Sequence, residues 1–439
     1  MENLFAARAL MGLSLAFHIV YATVGIGLPF LLMLAEGLAL KTGDDSWHDL
    51  ARGWIRPAGV LFAIGAVSGT ILSFELGLLW PQFMAFSGPL IGLAFSMEGF
   101  AFFTEAIFLA LYLYGERRLS RRALFLCTIP LSVAAAVSAV FVISANGWMN
   151  TPSGFQLVQG SPAGIDPAGA FFNPAWRHEA VHGTLAAYTA TGFGMAGLYA
   201  AALLRAAPWP HAVNALRLTL GVATVALPLM LFSGDWAAVS VARDQKGKLA
   251  AMEAHFVTRP GAPLIIGGWP EPAENRVAYG IPIPKLLSLL AHRNPDSVVA
   301  GLDALPRADR PDPRLVHPFF DLMVLSFFVM STAAGLFWWS CRRHGQHTPG
   351  RLTLRSVVIA APFGLIALES GWMVTEFGRQ PWVVQGYLRT SQGVTMHGGI
   401  LLVFLTFFLV YLALTVAIFR LLLRPDGGSR KRPAEVVHE

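Results

Sequence analysis

An all-α integral membrane protein, a bundle of nine transmembrane helices, is the fold class that the sequence predicts, and three observations predict it. Hydrophobic residues make up 55% of the chain and charged residues only 13%, against about 25% charged in a soluble domain. Nine apolar runs, near 10–35, 55–79, 90–114, 123–144, 180–204, 214–232, 317–340, 356–376 and 394–419, are each long enough to cross a bilayer, which takes roughly 20 residues. Basic residues gather in alternate connections: Arg117, Arg118, Arg121 and Arg122; then Arg342, Arg343, Arg351 and Arg355; then Arg420, Arg424, Arg430, Lys431 and Arg432. Short loops rich in Lys and Arg stay cytoplasmic, whereas the connection at 81–89 has no basic residue and that at 145–179 has only Arg177. An odd number of spans then puts the N-terminus on the periplasmic side and the C-terminus in the cytoplasm.

The same charge pattern excludes other classes. The net charge of +6 lies at membrane edges and not on a folded basic domain, so no nucleic-acid partner is expected. Cys127 and Cys341 fall at cytoplasmic ends of spans, where a disulfide does not persist, and read as packing residues. No basic n-region or small-residue cleavage site precedes the first run, so span one is expected to be a retained helix. The chain divides into six spans (1–232), an outward polar loop (233–316), three further spans (317–423) and a cytoplasmic tail (424–439).

Span one contains FHIVYATVGIGLPF, with His18 in its outer part. A histidine there is either a core residue bonded to a neighbouring backbone or a functional group facing the bundle interior. Span two ends in SFELGLLWPQF, with Glu75 near the outer surface and Trp80 as an interfacial anchor. Span three carries Glu98 and Glu105 seven residues apart, two turns or about 10 Å on one face. Such a pair is either a proton relay, a ligand with a relay, or a structural pair bonded to hydroxyls. Span four supplies Ser138, Ser144 and Asn146, which can continue a hydrogen-bonded line, and NGWMN after it reads as a turn.

Span five opens NPAWRHEAVHGTL, where His178 and His182 share a face but lack the HExxH order of a zinc-protease helix. Small residues follow and allow close packing. In the long loop, RDQKGKLAAMEAHF reads as a short helix holding Lys248 and Glu253, and GIPIPKLLSLLA as an amphipathic interfacial segment. A loop this long is functional or a spacer. Lys248 and Glu253 are five apart, about 140° around a regular helix, so both cannot face one ligand from it without a bend.

Span seven begins HPFFDLMVLSFF, with Asp321 and Met323 near its outer end, and span nine follows His397. Span eight ends in LESGWMVTEFGRQPW, where Glu369, Trp372 and Glu376 are spaced to line one face, before Arg379 and Pro381. Glu376 stands one turn from the outer end, before FGRQPW; Glu369, two turns deeper, reads as a relay or a support.

By this topology His18, Glu98, His182, Met323 and Glu376 come from five spans and share the outer half of the membrane. Histidine, methionine and carboxylate are haem ligand types, and His/Met is a low-spin electron-transfer pair. Zinc prefers Cys or several close His, and a haem–copper centre needs more intramembrane histidines. A reading from another class is a proton-coupled transporter using the buried carboxylates, which predicts inverted repeats and broken helices.

The runs EGFAFFTE (98–105), ANGWM (145–149), KLAAMEA (248–254) and GRQPW (378–382), together with the nine-span plan, resemble subunit I of cytochrome bd quinol oxidase over essentially the whole chain. The short outward loop is similar to that of the short-loop members, among them the cyanide-insensitive oxidases. The resemblance implies a bacterial inner-membrane enzyme that oxidises ubiquinol or menaquinol at the periplasmic face. It reduces dioxygen to water with cytoplasmic protons, without pumping. It also implies two b-type haems and a third haem of d or b type, with a subunit II and a small single-helix accessory subunit as partners. His182 and Met323 would ligate the low-spin haem, and His18 and Glu376 the two high-spin haems, with Glu98 beside one iron. Lys248 and Glu253 would contact the quinol. Glu105 and Ser138 match the proton route, with Glu369 on it or supporting it, and Arg379 and Trp372 match groups for haem propionates and the electron path. Where other members carry an arginine two residues before the axial Met, Asp321 stands here. An anion stabilises the oxidised haem, so a lower low-spin potential is expected.

Overall fold

The computed structural model describes residues 2–206, 209, 211–344, 349–395 and 398–422. His397, Arg424, Arg430, Lys431, Arg432 and the expected tail at 424–439 lie outside the described residues. Among the described residues nine segments are helical, long and apolar enough to cross a membrane. Spans one to six are Glu2–Thr42, Asp45–Leu79, Pro81–Gly115, Arg121–Asn150, Trp176–Leu204 and Ala212–Asp244. Span seven is Pro313–His344, span eight is Arg351–Ala360 continued by Phe363–Arg379, and span nine is Ile400–Leu422.

Consecutive spans pair as hairpins, one with two, three with four, five with six and seven with eight, and span five also packs on spans one, four and eight. Small residues make those approaches possible. A Cβ on Gly364 of span eight would lie 2.6 Å from Ala190 Cα of span five, and one on Gly192 would lie 2.8 Å from Thr219 O of span six. The main apolar core gathers Leu31, Trp54, Phe193, Leu220 and Phe337, and Cys127 and Cys341 pack against it as free thiols. Exposed Phe74, Phe100, Phe103 and Phe328 lie on spans two, three and seven, where lipid or a partner subunit takes the place of water.

Two local departures have clear causes. Span eight breaks at Ala361–Pro362, because proline offers no N–H to the preceding turn. The NGWMN segment is not a turn: span four runs on through Asn150. Gly147 there serves close approach, since a Cβ on it would meet Asn173 Oδ1 at 3.0 Å and Glu179 Oε2 at 3.2 Å.

The loop between spans six and seven is an ordered layer with its own core of Leu249, Met252, Phe256, Leu287 and Val299, shared with Val316 and Val374 of spans seven and eight. Three antiparallel two-stranded ribbons brace it: Arg259–Pro260 with Val298–Val299, Leu264–Ile266 with Ile281–Ile283, and Trp269–Glu271 with Arg276–Ala278. His317 clamps it to span seven, its Nδ1 2.8 Å from Met252 O and its Nε2 3.2 Å from Gly267 O. The segment read as interfacial forms a short helix, Leu286–His292, whose Leu287 and Ala291 are buried and whose Leu289 and Leu290 are exposed.

Candidate functional site

The last turn of span four sets the site. Asn146 and Asn150 are one turn apart on its inner face. Asn146 Nδ2 donates to Glu376 Oε1 at 2.8 Å. Asn150 uses every hydrogen-bonding position of its amide. Its Nδ2 donates to Glu179 Oε1 at 3.0 Å and to Asn146 Oδ1 at 3.3 Å. Its Oδ1 accepts from Lys248 Nζ at 2.9 Å and from Arg379 Nη1 at 3.4 Å. Arg379, 2% exposed, also pairs with Glu376 Oε2. One buried network therefore joins the loop lysine to the carboxylate at the end of span eight, through an ammonium, a guanidinium and two carboxylates held by amides. Burial pushes the Lys248 ammonium down from its ordinary range, and Glu179 pulls it back up. Glycine at 378 admits it, since a Cβ there would lie 2.6 Å from Lys248 Cγ.

Lys248 and Glu253 diverge, as their spacing requires. The loop helix Lys246–Met252 ends before Glu253, and the chain reverses at Ala254 with φ 44°. Lys248 points into the amide network. Glu253 is buried toward span seven, and its carboxyl is pushed up to about 8, first by burial and then by Asp321. Asp321 Oδ2 lies 3.4 Å from His317 Nε2, so the residue standing in the arginine position is itself tied to the loop clamp. A cavity of about 200 Å³ lies at the loop beside Lys246, Leu249 and His292, and its lining includes neither Lys248 nor Glu253.

The two candidate histidine ligands are built alike. His18 Nδ1 is 2.9 Å from Ser68 Oγ, and His182 Nδ1 is 2.9 Å from Ser233 Oγ. In each ring this leaves Nε2 as the atom that can face iron. Met323 lies against Gly371 of span eight, where a Cβ would come within 3.0 Å of its sulfur. His178 goes elsewhere: its buried Nδ1 has no hydrogen-bond partner and its ring lies 6.2 Å from Trp236. Among the described residues no three His, Cys, Asp or Glu side chains converge on one point. The donors are thus spread singly over several spans. Imidazole, thioether and carboxylate placed this way are donor types that haem iron takes, singly or in a pair, without a multi-ligand metal cluster. Buried polar atoms without partners, both Glu369 oxygens and Arg379 Nε, add unspent hydrogen-bonding capacity on the helix that carries Glu376. Trp372 is half-buried on that helix.

On span three, Glu98 accepts from Ser138 Oγ at 3.3 Å, and Glu105, buried, follows seven residues on. Ser144 leaves this line, because its hydroxyl donates to Phe171 O at 2.5 Å. Continuing the same spacing, Tyr112 donates to Glu36 of span one, which also holds His48 Nδ1 of span two at 2.9 Å. Sequence reasoning passed over Glu36, His48, Asn150 and Glu179 as members of the site. The signal for the amides was an i, i+4 Asn pair, hidden by reading NGWMN as a turn.

The chain is similar to known proteins over nearly its whole length. The family model described as cytochrome bd terminal oxidase subunit I matches residues 6–426. A Bacillus subtilis (strain 168) protein that carries the name of a cytochrome bd menaquinol oxidase subunit I is 36% identical, covering 96% of this chain and 96% of that protein. The cytochrome bd-II ubiquinol oxidase subunit 1 of Escherichia coli (strain K12) is 28% identical over 88% of each chain. The solved bd oxidase from Geobacillus thermodenitrificans superposes with a TM-score of 0.91 at 36% identity, over 96% of this chain and 98% of that one. The chain accordingly belongs to the cytochrome bd terminal oxidase subunit I family, as the multi-pass inner-membrane, haem-bearing subunit of a bacterial quinol:oxygen oxidoreductase that works with a subunit II.

Proposed function

We propose that quinol is oxidised at the periplasmic face beside Lys248 and Glu253, and that dioxygen is reduced to water near Glu376 with protons from the cytoplasm. In this reading the N-terminus is periplasmic, the C-terminus cytoplasmic, and the quinol-binding loop expected at 233–316 is the segment 245–312, since span six runs on to Asp244 and span seven starts at Pro313. His182 and Met323 hold a low-spin b haem; His18 and Glu376 hold the two high-spin haems, the third being d or b type. When bound, these groups supply one-electron transfer and the oxygen-reducing centre.

The protein's own residues do the rest. Glu253, kept protonated by its buried surroundings, exchanges a proton at the loop, and Lys248 presents a cation held in place by Asn150. Arg379 offers the unpartnered Nε to a propionate while its other nitrogens hold Glu376 and Asn150. Trp372 lies on the electron path. Glu105, Glu98 and Ser138 carry protons outward, with Glu369 as a relay or support. Because both reactions sit toward the outer face, inward-to-outward proton movement separates charge without a pump. Ubiquinol or menaquinol serves as donor, and a small single-helix accessory subunit completes the complex.

The observation that carries the reading is the line of polar contacts from Lys248 through Asn150 and Asn146 to Glu376, two bonds of 2.9 and 2.8 Å joined by a longer one of 3.3 Å. Haem extraction with absorption spectroscopy tests it. Three haem signals are expected, and His182→Ala should remove only the low-spin one; a protein without haem, or a low-spin signal that survives that change, refutes the assignment.

A further inference from the structure

Three candidate iron ligands, on three different spans, each lie against a Ser–Gly dipeptide of a neighbouring helix. Ser68–Gly69 of span two meets His18, Ser233–Gly234 of span six meets His182, and Gly371 of span eight, which follows Ser370, meets Met323. We propose that Ser68 with Gly69, and Ser233, are positioning residues for haem ligation, each serine fixing the imidazole tautomer and Gly69 making room for the His18 ring. The inference rests on the reading of His18 and His182 as iron ligands.

The hydrogen bonds decide the tautomer. Ser68 Oγ donates its proton to Ile64 O at 2.9 Å, with Gly65 O at 3.1 Å, and Ser233 Oγ donates to Met230 O at 3.1 Å. A hydroxyl has one proton to give. With it committed to the helix backbone, each Oγ meets the ring as an acceptor, so Nδ1 carries the hydrogen. The lone pair is then on Nε2, the nitrogen left for iron. Such a ligand usually has its second nitrogen paired with a carboxylate, a carbonyl or water, and the partner tunes its basicity. An alcohol is the weaker acceptor beside a carboxylate and leaves the ring a neutral donor.

Glycine does the steric part. A Cβ on Gly69 would stand 3.2 Å from His18 Cε1, and one on Gly234 3.5 Å from His182 Cε1. Cε1 joins the two ring nitrogens, so pressure there swings Nε2 while Nδ1 is held. The contact at Gly69 is tighter than ordinary van der Waals distance and that at Gly234 is within it. The third pair shares only the steric half: a Cβ on Gly371 would come within 3.0 Å of Met323 Sδ.

The test uses the complete two-subunit oxidase, purified, with haem content read by extraction and each haem's midpoint potential by spectroelectrochemical titration. Ser233→Ala should weaken retention of the low-spin haem roughly 10- to 100-fold and leave the other signals in place, and Ser233→Thr, which keeps the acceptor, should restore it. Ser233→Asp should stabilise the oxidised form about tenfold, a shift of about −59 mV for one electron. Gly69→Ala should disturb the high-spin spectrum more than Gly234→Ala disturbs the low-spin one. If Ser233→Ala fails to assemble, the Thr and Asp variants decide. Unchanged haem content and potential in Ser233→Ala or Ser233→Asp, where His182→Ala empties the low-spin site, overturns the proposal. A low-spin signal that survives His182→Ala overturns the ligand assignment instead.

Discussion

Replacing Asn150 with alanine should uncouple the loop from the haem end of span eight. The side chain makes four hydrogen bonds, and two of them, from Lys248 Nζ at 2.9 Å and to Glu179 Oε1 at 3.0 Å, are short and involve charged groups. Bonds to charged groups contribute about 1.5–3 kcal/mol each. The contact from Arg379 at 3.4 Å and that to Asn146 at 3.3 Å are long enough to count for little. The gross loss is therefore about 3–6 kcal/mol. Water entering the alanine cavity recovers part of it, which leaves about 2–3 kcal/mol against the positioned Lys248. At about 1.4 kcal/mol per tenfold change, quinol oxidation should fall roughly 30- to 150-fold in kcat/KM. Steady-state quinol oxidation by the purified oxidase measures this, with reduced-minus-oxidised spectra showing that the haems remain. A double-mutant cycle with Lys248→Met isolates the pair, and the two changes together should cost much less than their sum. Turnover within twofold of the parent, or additive losses, would refute the claim that this amide transmits the position of Lys248.

Glu105→Leu should abolish proton delivery, so that oxygen consumption and membrane-potential generation in proteoliposomes fall together; full retention of both removes Glu105 from the route. Burial, and after it Asp321, push the Glu253 carboxyl up from the ordinary 4.5 to about 8. The folded protein thus holds the extra proton between those values, and the loop's stability should be greatest below about 4.5 and decline as pH rises toward and through 8. Limited proteolysis of the loop at pH 6 and pH 9 reads this, and Glu253→Gln should flatten the difference. Asp321→Asn should raise the midpoint potential of the low-spin haem, because an anion beside it favours the oxidised form; a redox titration with no rise sinks that argument.

Several features were legible before any coordinates. A transmembrane helix satisfies its own backbone and must be apolar for about 20 residues, so nine runs announced nine spans whatever their packing. The intramembrane His18, His182, Glu98, Glu105 and Glu376 stood out because ionisable groups are costly there. Ser138 was legible as a member of a hydrogen-bonded line, but its pairing with Glu98 at 3.3 Å was not. The spacing of Lys248 and Glu253 required a bend before both could face one ligand, and the helix holding Lys248 ends at Met252.

What the sequence by itself determined about this protein is the membrane class, the number of spans and the residue types able to serve a haem, since each follows from local composition and helical period. Only the tertiary structure decided which side chains meet. Asn150 lies 98 positions from Lys248 and 229 from Arg379, and no periodic signal reports a contact between helices. Gly147 illustrates the limit: on the chain a glycine beside asparagine signals a turn, and in the fold it is a flat place on a helix where Asn173 and Glu179 approach. The serine partners of His18 and His182 were equally hidden, because a serine inside an apolar helix bonds its own backbone in either case. Packing alone turns that committed hydroxyl toward a ring on the next helix.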